Sequence, residues 1–105
     1  RIMVDDNDPF LIISARVRRK LADKHFVVPA EVLQCFLNYT ENNFLEDSRE
    51  THKTNPPTKW FISETDSGRL LKICFIYLED IQKIVIKSAF EPNQDELNIF
   101  FPKEI

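Results

Sequence analysis

The chain has 105 residues, 43% of them hydrophobic and 30% charged, and a formal net charge of −3. That size predicts one soluble globular domain over residues 1–105, able to close a core without a metal or a disulfide. A single glycine, Gly68, excludes glycine-rich phosphate loops and dinucleotide fingerprints, and no apolar run approaches the roughly 20 residues of a membrane span.

In chain order, residues 1–9 are polar and predicted to fray. Phe10, Leu11, Ile12 and Ile13 form a short apolar run suited to an edge strand or a hydrophobic staple. Ser14 is a good N-cap for a helix over residues 15–24, in which Val17 and Leu21 share a face with Ile13 ahead of them. This helix is basic: Arg16, Arg18, Arg19, Lys20 and Lys24 face one acid, Asp23. Phe26, Val27 and Val28 break it. Pro29 and Glu31 then suit the first turn of a second helix, where Val32, Leu33, Phe36 and Leu37 keep the helical apolar spacing. Phe44 and Leu45 offer a short strand. Three longer strands follow over residues 59–65, 69–78 and 81–90, with turns at Asp66, Ser67 and Gly68 and at Glu79 and Asp80. The second is the most apolar and so the central one. In the third, Ile84, Ile86 and Phe90 are predicted to point inward and Lys83 and Lys87 outward. Asn93 and Glu96 have capping-box spacing for a last helix with Leu97, Phe100 and Phe101 on its apolar side. The order predicts an α+β fold: two N-terminal helices on an antiparallel β-meander, helices on one face, and a short C-terminal helix.

The chemistry concentrates in the polar segment 46–61, which holds Glu46, Asp47, Arg49, Glu50, His52 and Lys53 ahead of Pro56, Pro57 and the strand entry at Lys59. Arg49 and Lys53 suit a phosphate, with Asp47 or Glu46 orienting them; the bland alternative is a surface ion-pair cluster. His52 is the one loop group that titrates near neutrality unaided, which suits a proton carrier, whereas His25 reads as a cation at a helix C-terminus. Lys72 shares a strand face with Leu70, Cys74, Ile76 and Leu78, so it either snorkels to the sheet edge or lines a site. Arg69 follows the hairpin turn, where an exposed strand-end role is the ordinary reading. No His or Cys pair has zinc spacing, and neither metal nor cofactor is implied. Cys35 and Cys74 lie in apolar stretches and no secretory signal is visible, so both read as reduced, poorly reactive thiols of a cytoplasmic protein. The acidic sum argues against avid non-specific nucleic-acid binding, yet one basic helix on an acidic body suits RNA or an acidic partner protein.

Several short motifs resemble a known group. Lys24-His25 with Phe26-Val27-Val28-Pro29-Ala30-Glu31-Val32 and Phe36 is similar to the opening of BrnT-type toxins, small bacterial members of the RelE-like ribonuclease superfamily. Asp47-Ser48-Arg49 resembles the acid-x-Arg that follows there, and Ile86-Lys87-Ser88-Ala89-Phe90 resembles the closing strand before a helix carrying an acid. The order of residues 14–101 fits throughout. The stretch 46–61 with Gly68-Arg69-Leu70-Leu71-Lys72 also resembles short bacterial proteins that carry the label ADP-ribosyl-(dinitrogen reductase) hydrolase. That activity calls for an acid-rich magnesium site, which this sequence does not supply. The resemblance implies a metal-independent endoribonuclease toxin of a toxin–antitoxin pair, with RNA as substrate and a protein antitoxin as partner. Arg49, Arg69 and Lys72 would then be the cations at the scissile phosphate, with Lys53 and Lys59 joining them on the substrate. His52 would carry the proton, and Asp47 or Glu46 would orient it. Arg49, His52, Arg69 and Lys72 are accordingly expected to approach one another. Two departures weigh toward a non-catalytic protein- or nucleic-acid-binding module that keeps the fold. Phe90 stands where the family has arginine, and the chain is acidic. Phe26 also replaces the family's glycine after His25.

Overall fold

Alternating strands at the centre of the chain organise the remainder. The computed structural model describes residues 9–47, 49 and 54–102. Strands β3 (Lys59–Glu64), β4 (Leu70–Leu78) and β5 (Lys83–Phe90) form the antiparallel meander read from the sequence. The hairpin between β3 and β4 closes at Gly68, whose φ of 87° is the left-handed geometry that glycine adopts without a Cβ penalty. Two short strands extend the meander. β2 (Leu45–Glu46) adds antiparallel to β3, and β1 (Leu11–Ile12) adds parallel to β5. The sheet is therefore mixed and five-stranded, in the order β1-β5-β4-β3-β2, rather than the purely antiparallel meander expected.

Helix α1 (Ala15–Lys20) begins as expected, with the Val17 N–H donating to Ser14 Oγ at 3.2 Å. It then widens into a π-helical turn over Leu21–His25. The turn ends at Phe26, which is left-handed at φ 55°. That backbone region favours glycine, because a Cβ is strained there. Helix α2 (Pro29–Asn38) follows, its Glu31 carboxylate accepting the Val28 N–H at 3.1 Å. Leu21, Val27, Val32 and Cys35 pack against Phe61, Leu71, Ile73, Phe75, Ile86 and Ala89 of the sheet to make the core. Leu37, expected on the apolar face, is exposed; Cys35 takes the inward position. Rings of Phe36, Tyr39, Phe44, Phe61 and Phe75 cluster at the end of α2. They fix the point from which the polar segment departs.

Register within β5 changes which residues face the core. Cys74 pairs with Ser88 but Phe75 pairs with Ile86, so Lys87 is an extra residue, a β-bulge. Ile86 and Ala89 therefore both meet the helices, at 1% and 0% exposure. Phe90, predicted to point inward beside Ile84 and Ile86, instead shares the opposite face with its partner Lys72. The last helix, α3 (Gln94–Phe100), also lies on that opposite face, a correction to the single-faced expectation. Glu96 of α3 bonds Lys72, and Phe100 stacks on Trp60 at 5.7 Å. The third strand also starts at Lys83 rather than at residue 81, because Gln82 turns left-handed at φ 53°.

Arg69 ties the layers together. Its guanidinium donates to the carbonyls of His25 at 2.9 Å and Phe26 at 2.8 Å, pairs with Glu31 at 3.2 Å, and pairs with Glu91 at 3.0 Å. It thus caps the end of the π-helical turn, the start of α2 and the exit of β5 together. Phe26→Gly is expected to stabilise the protein by about 1 kcal/mol in chemical denaturation, because it relieves the left-handed backbone while Phe26 is 78% exposed and gives up little packing. Arg69→Ala is expected to destabilise by about 2–3 kcal/mol, the scale of charge-assisted hydrogen bonds removed from a part-buried group; a change within a few tenths would show that the tie is not structural.

Candidate functional site

On the face carrying α3, a cleft of about 490 Å³ opens between β4, β5, α3 and the polar segment. Its cations come from four separate places: Lys20 from α1, Arg49 from the polar segment, Lys72 from β4 and Lys87 from the bulge. Its acids are Asp47 and Glu96, and Thr54, Thr58 and Ser88 add hydroxyls.

Each is positioned by local structure. The Asp47 N–H donates to the Thr58 carbonyl at 2.8 Å, pinning the two ends of the polar segment. Thr54 Oγ1 and Thr58 Oγ1 share a hydrogen bond of 2.8 Å that brings the returning strand alongside. Asp47 grips Arg49 through Nε at 3.0 Å and Nη2 at 2.8 Å, while the Arg49 side chain remains 62% exposed. Hydrogen bonding to Asp47 pushes the guanidinium pKa upward, so Arg49 stays charged. Lys20 reaches across from α1, its Nζ donating to the carbonyl of the bulge residue Lys87 at 3.2 Å.

Lys72 is the floor. The residue is 8% exposed, and its Nζ lies 4.5 Å from the Trp60 ring centroid and 5.5 Å from that of Phe90. The Glu96 carboxylate meets it at 2.6 Å. Of the two alternatives in the sequence, snorkelling or lining a site, Lys72 lines the cleft. Glu96 also accepts the Asn93 N–H at 2.9 Å, so one carboxylate closes the capping box and neutralises the central strand's cation. Burial pushes the Glu96 carboxyl upward, but Lys72, the Asn93 N–H and Arg49 together outweigh it and hold the group below its ordinary value. Cys74 lines the same wall, its thiol pushed up mainly by burial. Cys35, in the core, is pushed up to about 12 for the same principal reason, and both thiols are free.

The other candidates fall elsewhere. Arg69 does not share this cleft; it borders a shallow depression with His25, Phe26 and Glu91, committed to the tie described above. Glu46 and Lys59 are register partners at the end of β2 and β3 and line a separate hollow with Pro56, Pro57 and Tyr77. Alternation turns them away from Asp47 and Trp60. His52, Lys53 and Glu50 lie outside the described residues. His25, read as a helix-end cation, stacks on Phe90 at 5.4 Å, and burial with Lys20 and Lys24 nearby lowers its pKa, opposite to the expected sense. Lys20, Lys87, Ser88 and Glu96 also line the cleft, and no sequence motif marks them for it. Capping spacing revealed Glu96 but not its second partner.

Among the described residues no group of three His, Cys, Asp or Glu is placed to hold a metal, and no helix is long and apolar enough to cross a membrane. Comparison with known families, curated proteins and solved structures gives no match.

The Lys72–Glu96 contact sits against Trp60, the only tryptophan in the chain. Because the Glu96 pKa is depressed in the folded state, the pair's contribution is complete above the ordinary carboxylate range and disappears as pH falls through the lower folded value. Tryptophan fluorescence is expected to change with a midpoint below that ordinary range, and Glu96→Gln is expected to abolish the transition. A transition unchanged in Glu96→Gln would assign it to another group.

Proposed function

We propose that the protein is a RelE/BrnT-like domain that binds RNA through this cleft and acts as a metal-independent endoribonuclease, the toxin of a toxin–antitoxin pair. One observation carries the reading: four cations from four segments meet two carboxylates in one cleft, in a chain whose overall charge is −3. Positive charge gathered against the sign of the whole molecule suits a phosphodiester. The helix–helix–meander–helix order and the acid on the helix after the closing strand support the family resemblance.

Phosphate oxygens would meet Arg49 from the open side and Lys72 from the floor. Lys20 and Lys87 would lie on the flank. Attack by the neighbouring 2′-hydroxyl would form a cyclic phosphate and break the bond to the 5′-oxygen. The proton lost by the one and gained by the other would pass through the proton carrier, while these fixed cations stabilise the charge developing on the phosphate. Glu96, its carboxyl held below its ordinary value by Lys72, the Asn93 N–H and Arg49, would not supply a proton. The proton carrier in this reading is His52, which follows Arg49 and precedes Thr54 in sequence. An antitoxin presenting carboxylates would cover the cleft.

A second reading has its own support. Lys72 and Arg49 each hold a carboxylate at 2.6 Å and 2.8 Å, and the ring of Phe90 fills wall where the resembling family has a cation. A non-catalytic module that binds RNA would have this character.

Lys72→Ala alone is a poor test, because it strands Glu96 in a half-buried site and costs stability. Arg49→Gln, which keeps an amide to donate to the 13% exposed Asp47 side chain, and the paired change Lys72→Met with Glu96→Gln remove charge without stranding a carboxylate. Each is expected to lower RNA cleavage about 100-fold with melting temperature nearly unchanged. Wild-type cleavage in both folded variants would eliminate the cleft. Binding without cleavage by the wild type would establish the module instead.

A further inference from the structure

Beyond the cleft, a second groove of about 640 Å³ runs along α1 and carries Arg16, Arg19, Lys20, Lys24 and Lys87 against Asp23 alone. Lys20 and Lys87 line both hollows, so the two are continuous around the bulge. The junction is fixed by the hydrogen bond from Lys20 Nζ to the Lys87 carbonyl. Arg16, Arg19 and Lys24 are exposed and, among the described residues, hold no ion pair. Among the described residues no carboxylate takes up their charge, unlike that of Arg69 and Lys72. The helix bearing them is held by its other face, through Val17 and Leu21.

We infer that this groove is a track for the backbone of single-stranded RNA, extending the cleft so that the protein engages several successive phosphates rather than one. The inference rests on the RNA reading of the cleft. A single strand fits better than a duplex because the central cation, Lys72, is only 8% exposed at the cleft floor. A flexible strand can bend into that floor, whereas a stiff duplex keeps its phosphates on a convex surface. Phe90 in the cleft wall gives an unstacked base an aromatic surface, the combination of basic groove and aromatic platform that single-strand binders use.

The track is tested by fluorescence anisotropy with labelled RNA: a trinucleotide, a twelve-nucleotide single strand and a duplex of equal length. The variant is Arg16→Ala with Arg19→Ala and Lys24→Ala, three exposed positions whose removal is expected to leave the melting temperature unchanged. The twelve-mer is expected to bind the wild type about tenfold more tightly than the trinucleotide, and the triple variant to forfeit that advantage. Trinucleotide affinity stays the same. The dependence of log Kd on log salt is expected to flatten by about 2, at about 0.7 for each single-strand phosphate that the variant no longer neutralises. An unchanged twelve-mer affinity and salt slope in the triple variant would overturn the track, and the cleft would stand if Lys72→Met with Glu96→Gln still weakens the trinucleotide. Weakened twelve-mer binding in the triple variant with no effect of the Lys72 pair would support the track and reject the cleft. Duplex binding as tight as the single strand would overturn the single-strand assignment. A polyglutamate peptide binding more tightly than the twelve-mer through the same three residues would replace RNA with an acidic protein partner.

Discussion

A lysine on the central strand of a sheet is the constraint around which one side of this protein is arranged. Lys72 cannot point into the apolar layer under α1 and α2, so it points the other way, and at 8% exposure it needs a partner. Glu96 supplies one at 2.6 Å and brings α3 onto that face with it. Trp60 and Phe90 complete the surroundings of the ammonium with ring faces. The pair adds little net stability, since desolvation offsets much of the attraction. Its consequence is geometric: a cleft bounded by α3 on one side and the polar segment on the other.

One extra residue completes the cleft. Without the bulge at Lys87, strict alternation along β5 would keep Phe90 on the face of Ile84 and Ile86. With it, Ala89 meets the helices while Ser88 and Phe90 turn toward Lys72. The bulge residue's carbonyl also accepts from Lys20, which ties the basic side of α1 to the cleft mouth. Bulges that re-aim side chains near working sites are a recurring device of antiparallel sheets. Arg69, although equally basic and only three positions from Lys72, is fully engaged by two carbonyls and two carboxylates. Its charge serves the fold; those of Arg49, Lys20 and Lys87 line the cleft.

The two carboxylates of the cleft bear on function in either reading. Asp47 fixes the direction of Arg49, and Glu96 fixes Lys72, so neither cation would require ordering to meet an anion of the proposed kind. The same interactions partly neutralise the cations, which moderates affinity. An incoming phosphate would share the ammonium of Lys72 with Glu96 rather than meet an unpaired charge. Such a cleft favours a ligand with several charges, each held weakly, over a single tightly held anion.

Much of the fold was legible because its signals are local. Ser14 as an N-cap, Pro29 opening α2, Gly68 in the hairpin, and Asn93 with Glu96 ahead of α3 act within three or four residues, and the meander follows from alternation. The sequence also marked Asp47, Arg49 and Lys72 as candidates by type and position. What it could not rank was which cations meet. Lys20 and Lys87 are 67 positions apart, Arg69 and His25 44, Lys72 and Glu96 24. A one-residue bulge, invisible in composition, inverted the facing of Phe90, and α3 chose its layer by the partner it neutralised. Caps, turns and strand period are set by neighbours along the chain and so are written there. The destination of a charge is decided by which opposite charge or carbonyl the packed layers bring within hydrogen-bond reach, and only the tertiary structure holds that information.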